Sequence, residues 1–152
     1  RAVKFGIAKA SGNFICYTNS ARTNTEDLML MLKYAKVNDR AVVKATRIIR
    51  ETFLRKLGSV LYNFENRFLF KTPIWDVNGT PKIISRKVLQ SIEIISDDDL
   101  IDAEIIARCF KKNIPIIEIP VTSTKRISGR STTNFKSAFR MYMGLLKLKK
   151  KI

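Results

Sequence analysis

The chain has 152 residues, 45% of them hydrophobic, which suits one domain with a real core rather than a disordered segment. No apolar run approaches the ~18 residues a membrane-spanning helix needs, and Arg1-Ala2-Val3-Lys4-Phe5 leads into no signal-peptide pattern. The absence of histidine excludes Ser-His-Asp and Cys-His catalysis and His-based metal sites, while a formal net charge of +16 asks for a polyanionic partner.

In chain order, Arg1 to Ala10 reads as the end of a helix, closed by Ser11-Gly12-Asn13. Phe14 to Thr18 is a short apolar run, as in a buried strand. After a polar loop, Thr25-Glu26-Asp27 opens a helix, with the Thr25 hydroxyl at the cap and acids in the first turn. Ala41 to Thr46 reads as a second strand. From Glu51 to Phe70 the pattern is helical, with Phe53, Leu57, Val60, Leu61, Phe64 and Phe68 on one face, and Pro73 ends it.

Asp76 to Pro81 is a tight loop, Lys82 to Ser85 a strand and Arg86 to Glu93 a short helix. Asp98 to Lys112 forms a longer helix with acids at its start and lysines at its end. Asp97-Asp98-Asp99 reads as dipole-favoured capping rather than a metal cluster. Ile114 to Val121 is a strand whose two prolines place it near an edge. Lys125 to Thr132 is a Gly/Ser/Arg loop, and residues 134–151 form a basic amphipathic helix. In that last helix the amino half is expected to pack and the carboxyl half to meet a membrane or a further segment. Cys16 and Cys109 have no metal-ligand spacing and read as reduced core residues of a cytosolic protein.

Helices alternating with short strands predict an α/β layer arrangement with a mixed sheet. A nucleotide-binding fold of this class ordinarily opens with a strand, whereas this chain opens inside a helix, as though its beginning were cut off.

Four segments, in order, resemble family-2 glycosyltransferases of the GT-A fold, in particular the polyprenyl- and dolichol-phosphate sugar synthases. Residues 6–15, Gly-Ile-Ala-Lys-Ala-Ser-Gly-Asn-Phe-Ile, are similar to the entry into the strand before that family's metal site. Thr25-Glu26-Asp27-Leu28 is similar to the Pro-Glu-Asp-Leu that follows it. Asp76-Val77-Asn78-Gly79-Thr80-Pro81-Lys82 is similar to the acceptor-side loop. Asp102-Ala103-Glu104, Glu118-Ile119-Pro120-Val121 and Arg126-Ile127-Ser128-Gly129-Arg130-Ser131-Thr132 together match a fourth stretch. The likeness covers nearly all of residues 1–152, as one partial GT-A-like domain whose opening strands are missing. It spans roughly the last two thirds of a typical catalytic domain.

The resemblance implies an inverting transfer of a sugar from a nucleotide-diphosphate donor to a polyprenyl-phosphate, glycan or other membrane-associated acceptor, at the cytoplasmic membrane face. It implies Mg²⁺ or Mn²⁺ on an Asp-x-Asp, but that position reads Asn19-Ser20-Ala21 and offers no carboxylate to a hard cation, so no metal ligand is assigned. Arg22 is then the group to neutralise a diphosphate, since guanidinium pairs phosphate bidentately.

Sugar transfer to a phosphate needs cations that hold two anions together more than it needs a base. Asn19, Arg22, Arg47 and Arg55 are the donor-side candidates. Arg126, Ser128, Gly129, Arg130 and Ser131 are the acceptor-phosphate candidates, with Gly129 allowing close backbone approach. Asp76 is the catalytic candidate, to orient or deprotonate a hydroxyl acceptor. Asp102, Glu104 and Lys82 are secondary, and Glu104 also suits an i,i+4 ion pair with Arg108. The closing basic helix fits an anionic membrane surface.

Two further readings compete. A non-catalytic relative would bind nucleotide-sugar or phosphate without turnover, consistent with the missing Asp-x-Asp. A basic nucleic-acid-binding domain is motivated by charge alone and lacks any RNP-like, KH-like or zinc-finger pattern.

Overall fold

The computed structural model describes residues 2–18, 23–48, 53–121 and 135–152, and the backbone alone for 53–57 and 135–138. Its helices are α1 (Ala2–Lys9), α2 (Thr25–Val37), α3 (Phe53–Phe70), α4 (Arg86–Ser91), α5 (Ile101–Lys111) and α6 (Phe135–Lys149). Its strands are β1 (Phe14–Tyr17), β2 (Val42–Arg47), β3 (Lys82–Ser85) and β4 (Ile116–Val121). The fold is mixed α/β, and element boundaries fall within a few residues of the sequence reading.

Local chemistry explains where the boundaries moved. α2 is capped by Asn24, whose side-chain oxygen accepts from the Glu26 N–H at 3.0 Å, so Thr25 is the first helical residue and not the cap. α5 begins at Ile101 because the Asp98 carboxylate accepts the Leu100 N–H at 3.0 Å, a local turn that competes with the helix. α3 ends with Lys71 at φ 53°, two residues before Pro73. Ser85 closes β3 and caps α4 by accepting the Val88 N–H at 3.2 Å.

The sheet order is β1-β3-β2-β4. β3 is antiparallel to both of its neighbours, and β2 is parallel to β4, so β1, β2 and β4 all run one way. Among the described residues β4 lies at an edge, as its prolines predicted. β1 is the other edge among the described residues, which is why Cys16 is exposed and not a core residue; Cys109 is buried.

Alternation along β2 sends Val43 and Ala45 toward α2, where they pack with Met31, Ala35 and Ile83. Val42 points the other way and joins Ile84, Val88, Ile105 and Cys109 under α4 and α5. Outside that layer, α3 and α6 close over α5 through Phe70, Ala103, Ile106, Ala107, Leu145 and Leu148. Gly144 lets α6 lie close to Leu100, since a Cβ there would come within 2.6 Å of that side chain.

An apolar stripe on a helix ordinarily faces the core. α3 does the reverse. Its stripe faces solvent, with Phe64 66% and Phe68 76% exposed, while Asn63, Glu65 and Asn66 are turned inward. In α6, among the described side chains, the packing residues Leu145 and Leu148 sit in the carboxyl half, whereas Phe139 and Tyr142 are exposed. Among the described residues, no helix is long and apolar enough to cross a membrane.

Candidate functional site

On its α5 face, the apolar rows of the sheet stop short of the ends of its parallel strands. On the α5 side, Ile84, Val42 and Ile116 form one row across neighbouring strands. The next row on that face is Tyr17, Lys82, Lys44 and Glu118, each the register partner of the next across all four strands. Lys44 and Lys82 are fully buried, and as cross-strand partners they would repel one another without compensation.

Compensation is complete for the pair. Lys44 donates to Glu118 at 2.8 Å, and the Thr46 hydroxyl donates to the same oxygen at 2.7 Å. Lys82 donates to Asp102 at 2.6 Å and to the Gly79 carbonyl at 2.9 Å. Tyr17 adds a 2.6 Å bond to the same Asp102 oxygen. Burial lowers the Lys44 pKa and Glu118 partly offsets this, while burial and then the Asp102 charge push Tyr17 well above its ordinary value. Tyr17 therefore stays a neutral donor. α5 supplies Asp102 from its first turn, so the row ties two strands, β1 and β3, to the start of one helix.

At the end of β2, Arg47 makes a two-pronged pair with Asp76. Its Nε donates to Oδ2 at 2.8 Å, its Nη2 to Oδ1 at 2.7 Å, and its backbone N–H also reaches Oδ2 at 3.0 Å. The Asp76 side chain is 3% exposed and that of Arg47 is 28% exposed. The hydrogen bond to Asp76 raises the Arg47 pKa against the opposing effect of burial. The Asp76 carboxylate thus orients the guanidinium, and an acceptor hydroxyl would have to compete with Arg47 for it. Among the described residues Arg47 spends two of its five guanidinium N–H donors on Asp76, which leaves the others for an anionic oxygen.

The Asp76 loop is pressed onto β2. A Cβ at Gly79 would lie 1.9 Å from the Ala45 carbonyl oxygen, so only glycine allows this approach. The structure therefore brings together Arg47, Asp76, Lys82 and Asp102 from the residues singled out by sequence. Glu104 is directed elsewhere. It accepts the backbone N–H groups of Ile95 and Ser96 at 2.9 and 2.6 Å and pairs with Arg108 at 2.7 Å, the i,i+4 partner its spacing predicted. Burial alone would raise its pKa, and these bonds reverse that to a lowered value.

Asn19, Arg22, Arg126, Ser128, Gly129, Arg130 and Ser131 lie outside the described residues, as does the side chain of Arg55. Their attachment points are described. The segments 19–22 and 122–134 follow the ends of β1 and β4, the same end of the sheet as Arg47, which is the register partner of Val121. In open α/β sheets, ligands bind outside the carboxyl ends of the strands. No group of three or more His, Cys, Asp or Glu that could hold a metal ion occurs among the described residues.

Sequence reasoning missed Tyr17 and Lys44 and quoted Glu118 only within a motif. A single lysine inside Val42-Val43-Lys44-Ala45 was the available signal, since a lone charge in a buried strand needs a partner. Among known proteins, no family model matches the chain and no curated protein matches it.

Proposed function

We propose that this chain carries the anion-holding part of a GT-A-like, family-2 glycosyltransferase site, moving a sugar from a nucleotide diphosphate to a polyprenyl-phosphate or other membrane-associated acceptor. One observation carries the reading: Asp76 holds the Arg47 guanidinium at the carboxyl end of the parallel strands, with donors left for an anionic oxygen. Lys44 and Lys82 are matched by Glu118 and Asp102, so they stiffen the platform and leave phosphate binding to Arg47. Arg22, Arg126 and Arg130 belong to segments that leave this end of the sheet and are the further cations the reading calls on. An already ionised phosphate acceptor needs no free base, which agrees with an Asp76 engaged on Arg47.

A second reading is that the site binds nucleotide-sugar or phosphate without turnover. It is favoured by the absence of a carboxylate from Asn19-Ser20-Ala21. Incubation with labelled UDP- and GDP-sugars and polyprenyl phosphate, with and without Mn²⁺, separates the two. Labelled lipid product supports transfer, and calorimetric binding without product supports the second reading. Neither product nor binding overturns both.

A further inference from the structure

We propose that the outward faces of α3 and α6 form one docking surface for a bilayer containing anionic lipid. On α3, Val60, Leu61, Phe64 and Phe68 follow helical spacing and all are exposed. On α6, Phe139, Tyr142, Met143 and Leu146 do the same. Both helices bury their opposite sides in the single cluster over α5, so both stripes lie on the flank turned away from the sheet. Contiguous apolar surface of this kind marks an interaction site.

Charge selects the occupant. The only acid on either helix is Glu65, and it is turned inward, whereas Arg67, Arg140, Lys147 and Lys149 lie on these helices and Lys150 and Lys151 extend the row. Apolar stripes on helices whose outward-facing charges are all cationic fit an interface of acyl chains beneath anionic headgroups, with the exposed acids Asp98 and Asp99 contributed by the turn before α5. Trp75, 63% exposed, lies at the rim with the Arg67 guanidinium 3.8 Å from its ring centroid. An indole with a cation stacked on it suits the headgroup layer. Trp75 directly precedes Asp76, so the docked surface would adjoin the strand-end site. The sequence expectation concerned α6 alone; the geometry adds α3 as an equal contributor.

Vesicle sedimentation tests this without any nucleotide sugar, so the surface and the transferase reading can fail separately. The chain should bind vesicles of phosphatidylcholine with about one third phosphatidylglycerol at least about tenfold more tightly than phosphatidylcholine alone, less so at high salt. Phe64→Glu combined with Phe68→Glu should weaken that binding by about tenfold or more while the melting temperature moves by less than about 2 °C. Phe139→Glu, on the other helix, should weaken it independently. Absence of binding to the anionic vesicles, or binding indifferent to all three substitutions, overturns the proposal. So does self-association that Phe64→Glu abolishes in a chain that ignores vesicles, which would make the flank a protein interface.

Discussion

At the strand ends, Lys44 and Lys82 are buried to 0% exposure, and on the α3–α6 flank, Phe64, Phe68 and Phe139 are each about two-thirds exposed or more. The two regions break the ordinary burial rule in opposite directions. The first exception is resolved inside the chain, because Glu118 and Asp102 meet the lysines and Asp76 meets Arg47. The second is resolved by nothing among the described residues. A buried charge with its own partner is a finished piece of structure, whereas an exposed apolar stripe over a polar inner face points outside the molecule.

The sharpest test of the finished side is Arg47→Ala. It removes the two-pronged guanidinium partner of the buried Asp76 carboxylate and should cost about 1–3 kcal/mol in urea denaturation. A loss below about 0.5 kcal/mol would mean that the Arg47–Asp76 pair is not structural. On the flank, Leu145→Ala should cost about 2–5 kcal/mol, since Leu145 is fully buried, and Phe68→Ala should stay within about 0.5 kcal/mol. Equal costs for the two would show that the Phe68 face is covered.

The inner face of α3 supplies a finer contrast. Asn63 accepts the buried Val77 N–H at 3.0 Å, so Asn63→Leu should cost about 1–3 kcal/mol. Neither polar atom of the Asn66 side chain has a hydrogen-bond partner among the described residues, so Asn66→Leu should be neutral or stabilise by up to about 1 kcal/mol. The smallest effect concerns Glu65, whose pKa burial pushes up from 4.5 to about 7. Its folded form holds a proton that the unfolded form has lost. The stability it contributes is thus present below the unfolded value and falls away as pH rises toward 7. Glu65→Gln should remove this slope and raise the melting temperature at pH 8 by about 2–4 °C relative to the unsubstituted chain. A melting curve with the same pH dependence in both proteins would place Glu65 in water.

The elements themselves were legible in the chain. Apolar period, caps and prolines placed the six helices and four strands of the described residues, because each signal acts over a few neighbours. The misreadings are also local in origin: Asn24 outbids Thr25 for the α2 cap, and Asp98 delays α5. Of the site, Arg47, Asp76, Lys82 and Asp102 were visible through motif resemblance, but their pairings were not, because these join residues 20 to 29 positions apart.

Sequence alone determined which segments are helix or strand, that this chain holds no histidine for catalysis and that its net charge is +16, since these follow from residue types and short spacings. Tertiary structure alone decided that β3 runs against its neighbours, which lines up Tyr17, Lys82, Lys44 and Glu118 in one row. It also decided that the α3 stripe faces out, because a helical period reports that two faces differ but not which of them meets the core.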